Sequence, residues 1–527
     1  MTSVEAAPER APGRSIRRAA LLSGVLIAGG TGLGFVRDLV MAHLFGASGD
    51  TDAFLVAWTI PETVSPLLIE DAMALVMVPA VTRLLGDRGG IRPLVSSALP
   101  RLAAWLAAVT VLTVLTAPWL VRALAPGLAE PGPAVRCVRL TALTVLTFGV
   151  AGFMSATLRA HHRFGPPAAI YLAYNAGILA MLTLCASTLG VTAAALGVAC
   201  GGLFMVAVQT PAFITCVRSV PKALPNLPLG AATAAAKAAA VPALELAAIA
   251  PIVVYTVVRQ AQVFVERFLG AGLAEGSISC LNYAQKVAQV PMVLSLLVVT
   301  VTFPRLARSS ASGDTDRVRR RVEADLVIVS GVVLVAAAYL IAFAPAIVAL
   351  LFEHGRFTPD DAHRTALILR VYTLGLWGQA MVGVAARAFF ARGRPMWEPA
   401  RALAVGLAVT VLVGAAGVGF AGTLALAAAN AAGITVSAVL MLAAVRARVA
   451  PLALGPVAAD IAKVLAAAAG ACGVGLLVAD ALGGRVAPLV LLAAGGGAVA
   501  SVFAAALAAF GRGRLAHSDR EPQGGRP

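Results

Sequence analysis

The sequence predicts an all-α polytopic membrane protein with about 14 transmembrane helices, arranged as two pseudo-repeated six-helix lobes plus two C-terminal helices. Of its 527 residues, 60% are hydrophobic and 13% are charged, whereas soluble domains are about 45–50% apolar and about 25% charged. The mean hydropathy of +0.89 shows that the apolar excess extends along the chain. These values exclude a soluble enzyme with one anchor, because a chain that is apolar throughout is solvated by lipid.

Polar, proline and glycine breaks divide the chain into apolar runs, each long enough to cross a bilayer core of about 30 Å. The run 52–85 exceeds one straight crossing, and Pro61 and Pro66 are predicted to break it. The first run has no small-residue cleavage site, so we interpret it as an uncleaved span. The predicted spans are 19–46, 52–85, 98–122, 136–160, 167–189, 191–217, 241–269, 276–304, 324–352, 362–391, 396–418, 421–445, 456–481 and 486–511.

The positions of the basic residues predict the orientation of these spans. The formal net charge is +16, and 29 of the 41 Lys and Arg residues lie in segments that face the same side as both termini. Basic residues are enriched in cytoplasmic loops. The sequence therefore predicts that both the N- and C-termini are cytoplasmic, and the positive charge requires no nucleic-acid partner.

An internal repeat predicts the domain organisation. A shift of 228 residues without gaps aligns glycine, proline and arginine residues in two parts of the chain: Gly127 with Gly355, Pro131 with Pro359, and Arg136 with Arg364. Six spans separate the copies, which predicts parallel repeats with a substrate site between two lobes. The predicted parts are a tail (1–18), an N-lobe (19–220), a linker (221–240), a C-lobe (241–450), two final spans (451–511) and a basic tail (512–527).

Charged residues inside the spans concentrate on spans one, two, seven and eight. An unpaired cation at the bilayer centre costs at least about 2.5–3.5 kcal/mol, so an intramembrane charge is functional by default. The residues concerned are Arg37, Arg259 and Lys286, with the acids Asp38, Asp52, Glu70, Asp71, Glu245 and Glu266. They predict a wet, polar cavity lined by four helices. The alternative interpretation is a set of structural ion pairs that lock the lobes.

A cavity with several cations favours an anionic substrate, because Arg and Lys bind phosphate directly. Asp50 and Asp52 form a DxD pattern, which in membrane glycosyltransferases binds a metal and a sugar phosphate. Such enzymes usually carry an external domain, and the outer connections here are short. The sequence predicts no metal site and no cofactor, because its six cysteines are widely spaced and it contains no GxxxxGK[ST] loop.

Several segments, spread over about residues 20–450, resemble the MurJ/MviN family of lipid II flippases, whose superfamily also contains the MATE drug exporters. In the first lobe these are 34–38 (GFVRD), 45–47 (FGA), 51–54 (TDAF), Pro61, Glu70, Arg163, Phe164, Pro167 and Asn175. In the second lobe they are 281–286 (LNYAQK), Pro291 and 351–357 (LFEHGRF). The ordered series makes the resemblance specific.

The resemblance implies a central cationic cavity and alternating access, which carries undecaprenyl-diphosphate-linked peptidoglycan precursor (lipid II) from the inner to the outer leaflet. It implies that Arg37 contacts the diphosphate, that Asp52 belongs to the outer gate, and that Lys286 replaces a cavity arginine. Three positions depart from the family pattern. Thr31 and Ser65 stand where arginine is frequent, and Gln289 stands where an acid is frequent.

We therefore predict a non-enzymatic lipid II flippase. The predicted substrate-binding residues are Arg37, Arg259 and Lys286, the gate and cavity residues are Asp38, Asp52, Glu70, Asp71 and Gln289, and the ion-coupling candidates are Glu245 and Glu266. The alternatives are a flippase for another polyprenyl-linked glycan, a MATE-like small-molecule exporter, and a glycosyltransferase using Asp50 and Asp52. Exporters of cationic drugs favour acids in the cavity, whereas this one carries cations. Expected partners are the lipid-linked precursor, anionic membrane lipids and other cell-wall synthesis proteins.

Overall fold

The computed structural model describes residues 14–70, 92–218, 243–293, 314–391 and 396–518. Within these ranges the chain is helical apart from short connections and contains no β-strand, so the predicted all-α class is confirmed. The first helices are α1 (Arg14–Phe45), α2 (Gly49–Ser65, continued by the π-helical turn Pro66–Glu70), α3 (Arg92–Leu124), α4 (Pro131–Thr141), α5 (Leu143–Ala160), α6 (Gly165–Leu189) and α7 (Thr192–Arg218). They are followed by α8 (Ala243–Gly270), α9 (277–293), α10 (Thr315–Phe352), α11 (Pro359–Thr373), α12 (Leu376–Phe390), α13 (Glu398–Arg448), α14 (Leu454–Leu482) and α15 (Pro488–Ser518).

The helices reproduce the predicted membrane spans. In the described ranges, 10 helices are long and apolar enough to cross a membrane, and the pair α11–α12, bent by 44°, raises this number to 11. Helix α13 is 51 residues long, or about 77 Å, more than twice the bilayer core. Its backbone breaks at Gly422 (φ 53°, ψ −127°), the second residue of the predicted span 421–445. Helices α8 and α9 lie at the seventh and eighth predicted spans, so each of the fourteen has a helical counterpart.

Local sequence signals set several helix ends. Thr358 precedes α11 and forms a capping box with Asp361, in which each side chain accepts a hydrogen bond from the other residue's main-chain N–H. Pro359 occupies the first helical position, where its missing N–H is tolerated. Pro66 begins the π-helical turn after α2, whereas Pro61 lies inside α2. The helix thus passes through Pro61 without interruption and changes to π-helical hydrogen bonding from Pro66, while the rest of the run beyond residue 70 lies outside the described residues.

The chain forms two compact units. Within the described residues, the first unit comprises parts of Met1–Val40, Ala57–Val121 and Pro131–Leu246. Helix α7 packs against α6, α5 and α4. A Cβ atom at Gly201 would lie 2.5 Å from the main-chain oxygen of Tyr174, so α6 and α7 approach closely through a small residue.

The second unit comprises Met41–Val56, Arg122–Glu130 and Ala247–Pro527, again within the described residues. Helix α10 packs against α14, α12 and α15, and α14 packs against α15 as a helical hairpin. The segment 41–56 joins this unit through a main-chain hydrogen bond from the Arg356 N–H to His43 O at 2.9 Å. The predicted lobe boundaries stay a prediction, and the linker 221–240 lies outside the described residues.

Candidate functional site

Arg37 lies buried on α1, inside the first unit. Its Nη2 lies 2.7 Å from Asp38 Oδ1, and its Nε donates to the same oxygen at 3.0 Å. Its Nη1 donates to Asn175 Oδ1 at 3.2 Å. The guanidinium carbon stands 4.2 Å from the centre of the Trp58 ring, a cation–π distance. The strongest predicted phosphate ligand is thus held by two oxygen acceptors and an aromatic face.

The side chain of Asn175, on α6, fixes this arrangement. Its Nδ2 donates to the main-chain oxygens of Gly30 and Tyr171, both at 3.0 Å, so its Oδ1 is directed to Arg37. Breaking a buried ion pair by removing one partner is strongly destabilising, because it leaves an uncompensated charge. A phosphate that binds Arg37 must therefore exchange with Asp38 as its oxyanion partner.

The other two predicted substrate-binding cations lie in the second unit. Arg259 is exposed on α8, and Lys286 is half-buried on α9. Gln289, three residues beyond Lys286 and therefore on the same face of α9, is also half-buried. The common cavity of Arg37, Arg259 and Lys286 draws on residues of both units and stays a prediction.

Asp52, in the first turn of α2, caps the N-terminus of α9. Its Oδ2 accepts a hydrogen bond from the Gly276 N–H at 2.9 Å, and its Oδ1 accepts from the Ser279 N–H at 2.7 Å and the Ser279 hydroxyl at 2.5 Å. Gly276 is the N-cap residue, because its carbonyl accepts the first intrahelical bond, from Cys280. Only 4% of Asp52 is exposed. A buried carboxylate thus meets the positive end of a helix dipole.

Gly276 permits this contact. Its φ is +80°, and a Cβ atom there would overlap the main-chain oxygen of Ala47. Glycine adopts positive φ without steric cost and presents no side chain to the neighbouring backbone. The segment preceding α2 therefore approaches the start of α9 directly, and this brings the Asp52 carboxylate to the N–H groups of α9.

Arg267, in the last turn of α8, was missed as a site residue because the sequence placed it among the outer basic residues. It is 2% exposed, and its Nη2 donates to Asn282 Oδ1 at 3.4 Å. The signal available in the sequence was its position one residue after Glu266, within an apolar run.

Glu266 forms a buried polar cluster with α11 and α13. The Asn430 Nδ2 donates to Glu266 Oε1 at 2.5 Å and to the Tyr372 hydroxyl oxygen at 2.7 Å. Glu266 is 5% exposed and Asn430 is 6% exposed. The Asn430 amide thus links Glu266 on α8 to Tyr372 on α11 within one buried polar cluster.

The comparisons with known proteins identify the family. A family model described as lipid II flippase MurJ matches residues 41–493. The chain belongs to the MurJ family. The lipid II flippase MurJ of Burkholderia cenocepacia is 28% identical to it over 373 residues, which are 68% of this chain and 70% of that protein.

Two solved structures share the fold. A lipid II flippase MurJ in an inward closed conformation is similar with a TM-score of 0.74 at 19% identity, covering 94% of this chain and all (100%) of that chain. An inward-facing multidrug resistance transporter of the MATE family, from the MOP superfamily, gives 0.60 at 13% identity, covering 82% of this chain and 98% of that chain. The predicted resemblance to MurJ and to MATE exporters is confirmed, and the chain is a multi-pass membrane protein of a transporter fold.

Several predicted site residues of this MurJ-family chain stay predictions. Asp71 lies outside the described residues, and the side chains of Glu70 and Glu245 also lie outside what the structure describes. The DxD pattern does not form a paired site, because Asp50 is exposed whereas both Asp52 oxygens accept hydrogen bonds from Gly276 and Ser279. In the part of the chain that the structure describes, no group of three or more His, Cys, Asp and Glu side chains is arranged to hold a metal ion.

Two positions that depart from the MurJ pattern have local roles. The Thr31 hydroxyl donates to the main-chain oxygen of Ile27 at 3.1 Å, within α1. Ser65 Oγ lies 3.0 Å from the Tyr171 hydroxyl, so it links the end of α2 to α6. Neither side chain supplies the positive charge that is frequent at these positions in the family.

Proposed function

We propose that this protein flips lipid II from the inner to the outer leaflet of the bacterial cytoplasmic membrane by alternating access, without catalytic chemistry. The observation that carries the proposal is the match of the MurJ family model over residues 41–493 of an all-helical, multi-pass chain. The buried guanidinium of Arg37 supports it, because charge-assisted hydrogen bonds from Arg are suited to a diphosphate. Both termini face the cytoplasm in this proposal, where basic segments meet anionic lipids.

Arg37, Arg259 and Lys286 supply positive charge to the diphosphate. For Arg37, the cargo replaces Asp38 as the bound oxyanion, so that the buried cation exchanges one acceptor for another and stays paired. This exchange avoids the cost of an uncompensated buried charge. It also explains why an acid adjacent to the substrate cation is compatible with an anionic cargo: Asp38 neutralises Arg37 between transport events.

Asp52 acts as the latch of the outer gate. Three hydrogen bonds join its carboxylate to Gly276 and Ser279 at the start of α9. Hydrogen bonds to a charged group contribute about 1.5–3 kcal/mol each. Opening the outer side requires that the carboxylate leave these donors, so this contact biases the protein towards a closed outer side until cargo is loaded.

A flippase for another polyprenyl-linked glycan is the second candidate function. The departures at Thr31 and Ser65 favour it, because they remove two positive charges from positions where the family frequently has arginine. A MATE-like exporter of cationic compounds fits less well, since Arg37 lies on the first helix of the proposed cavity. A glycosyltransferase fits least well, since Asp52 is engaged as a helix cap.

Growth of cells that lack their own lipid II flippase tests the proposal. We expect the full-length chain to rescue cells depleted of that flippase, and to move fluorescent lipid II across the bilayer of proteoliposomes. Parallel proteoliposomes containing a different undecaprenyl-diphosphate-linked glycan separate the two candidate functions. Failure of rescue in cells where the protein reaches the membrane, together with transport of the other glycan, would establish the second candidate instead.

We further propose Glu266 as the group that couples flipping to an ion gradient. Its carboxylate is buried and accepts a hydrogen bond from Asn430 of α13, whose amide also donates to the Tyr372 hydroxyl of α11. Protonation of this carboxylate, or its binding of a cation, changes the charge of a buried cluster that spans three helices. Such a change alters their packing because a buried charge must be compensated where it lies.

Replacing Glu266 with glutamine is expected to abolish the response of flipping to the driving gradient. Glutamine keeps the shape and one acceptor oxygen for Asn430 but cannot titrate or carry charge. The measurement is lipid II flipping in proteoliposomes under imposed pH and Na⁺ gradients, with Tyr372→Phe as the matched control because it alters the same cluster without a change of charge. The proposal is contradicted if Glu266→Gln keeps the wild-type gradient response.

A further inference from the structure

The start of α9 presents an unusual concentration of hydrogen-bond donors to a single carboxylate. The N–H groups of Gly276 and Ser279 and the hydroxyl of Ser279 all donate to Asp52. The α9 helix extends over 277–293, so a dipole of several turns adds to their attraction for negative charge. The carboxylate belongs to another helix, α2, and is not a fixed part of this donor set.

A buried arginine provides a second and independent observation at the same place. Arg267 is 2% exposed, and its Nε has no hydrogen-bond partner within the described part of the chain. Its Nη2 donates to Asn282, which lies three residues after Ser279 and therefore on the same face of α9. A buried cation with an unused donor thus adjoins the helix N-terminus.

These donors persist when Asp52 leaves. If the latch opens as proposed above, two N–H groups and one hydroxyl at the start of α9 lose the carboxylate that accepts their hydrogen bonds, and negative charge is withdrawn from the neighbourhood of the buried Arg267. A buried cation without a counter-charge is strongly destabilising. Water replaces some of the lost hydrogen bonds, but an anion restores the charge balance as well. A negatively charged group that enters this position in the open state can therefore take up the donors that Asp52 releases.

We propose that Gly276, Ser279 and Arg267 form an anion-binding subsite for a phosphate group, which the Asp52 carboxylate occupies in the structure. The ligand chemistry is that of a diphosphate, whose several oxygens match the main-chain, hydroxyl and guanidinium donors. The diphosphate belongs to the lipid-linked cargo as it reaches the outer side, and this assignment rests on the proposed function. Asp52 and the cargo compete for one set of donors, so occupation by the cargo keeps the latch open during release.

Binding of inorganic pyrophosphate to the full-length protein in nanodiscs tests the subsite without requiring transport. Asp52→Ala removes the competing carboxylate, and we expect it to bind pyrophosphate at least tenfold more tightly than the wild type, by calorimetry and by the shift in the unfolding midpoint. The double variant Asp52→Ala/Arg267→Met should bind pyrophosphate at least tenfold more weakly than Asp52→Ala. Adding Arg356→Met is the matched control, because Arg356 is an exposed arginine of the same unit; the gain should persist.

Further variants and ligands make the outcome decisive. Should Arg267→Met fail to fold, Asp52→Ala with Ser279→Ala removes one donor without unpairing a charge, and a several-fold weaker affinity is expected. A water-soluble short-chain prenyl diphosphate should bind Asp52→Ala at least as tightly as pyrophosphate, which supports the cargo as the source. If pyrophosphate binds tightly and the prenyl compound does not, the source is free phosphate and the cargo assignment is overturned.

Two results overturn the subsite itself. The first is an equal pyrophosphate affinity of Asp52→Ala and the wild type. The second is a pyrophosphate affinity of folded Asp52→Ala that neither Arg267→Met nor Ser279→Ala weakens. Neither result bears on lipid II flipping by the wild type, which is measured separately. Conversely, a chain that binds pyrophosphate as expected but does not flip lipid II retains the subsite and loses the proposed function.

Discussion

The double substitution Arg37→Gln with Asp38→Asn is expected to abolish lipid II flipping while the protein still accumulates in the membrane. It removes the cation proposed to bind the diphosphate together with its ion-pair partner, so no uncompensated charge stays buried. Replacement of a complete buried ion pair by neutral groups is often tolerated. Flipping is measured in proteoliposomes and by growth with the variant as the sole flippase, and membrane levels are measured by immunoblot.

The matched control is a second ion pair far along the chain. Arg321 Nε lies 3.4 Å from Asp325 Oδ1 on α10, and the Asp325 side chain is only 3% exposed. Arg321→Gln with Asp325→Asn therefore removes a comparable charge pair, and we expect it to keep flipping. Wild-type growth with the Arg37→Gln/Asp38→Asn protein would show that the diphosphate is bound elsewhere.

For a single alanine variant, loss of flipping is harder to separate from loss of stability at Arg37 than at Lys286. Arg37→Ala leaves the buried Asp38 carboxylate without its cation, a change that costs about 3–5 kcal/mol. We therefore expect loss of flipping together with a lower membrane level of the protein. Lys286 is half-buried on α9, and Lys286→Ala is expected to abolish flipping at a near wild-type level.

The fold was largely predictable because membrane insertion imposes a simple pattern on the sequence. Apolar runs of about 20 residues are required wherever a helix crosses lipid. The break at Gly422 falls within a few residues of the predicted boundary between spans 396–418 and 421–445, where the sequence is rich in glycine. The structure of the run 52–85 was harder to predict. A proline weakens a helix at its position but does not determine whether the helix ends there, and Pro61 lies inside α2.

The contacts of the candidate site were less predictable because they join residues that are distant in the chain. Arg37 is held by Asn175, 138 residues away, and Glu266 by Asn430, 164 residues away. Charge counting found Arg37 and Glu266 but not their amide partners, which carry no charge. Arg267 was overlooked for a different reason. Basic residues near the ends of spans are expected from membrane topology, and only the structure shows that Arg267 is buried.

A disulfide across the Asp52 latch is expected to block flipping until it is reduced. The sequence suggests cysteines at Asp52 and Gly276, but Gly276 has φ +80° and its Cβ would overlap Ala47. Gly49 and Glu275 are better placed, because a Cβ at Gly49 would lie 3.6 Å from Glu275 Cγ and Gly49 has no positive φ. The two side-chain positions are thus in van der Waals contact, as a disulfide between them requires. Gly49→Cys with Glu275→Cys also leaves the latch residues intact.

In the proposed cycle, the two lobes rock about a midplane site, so the outer ends must separate before cargo leaves. Oxidation of the double-cysteine protein should therefore stop lipid II flipping, and reductant should restore it. Each single-cysteine variant, treated identically, should keep flipping; Cys280, which lies near the pair, is replaced with alanine throughout. Mass spectrometry measures the crosslinked fraction. Complete crosslinking with undiminished flipping would exclude opening at this contact, because a covalent bond between α2 and the start of α9 holds the Asp52 carboxylate at its donors. The cargo would then leave by a path that does not require the latch to open.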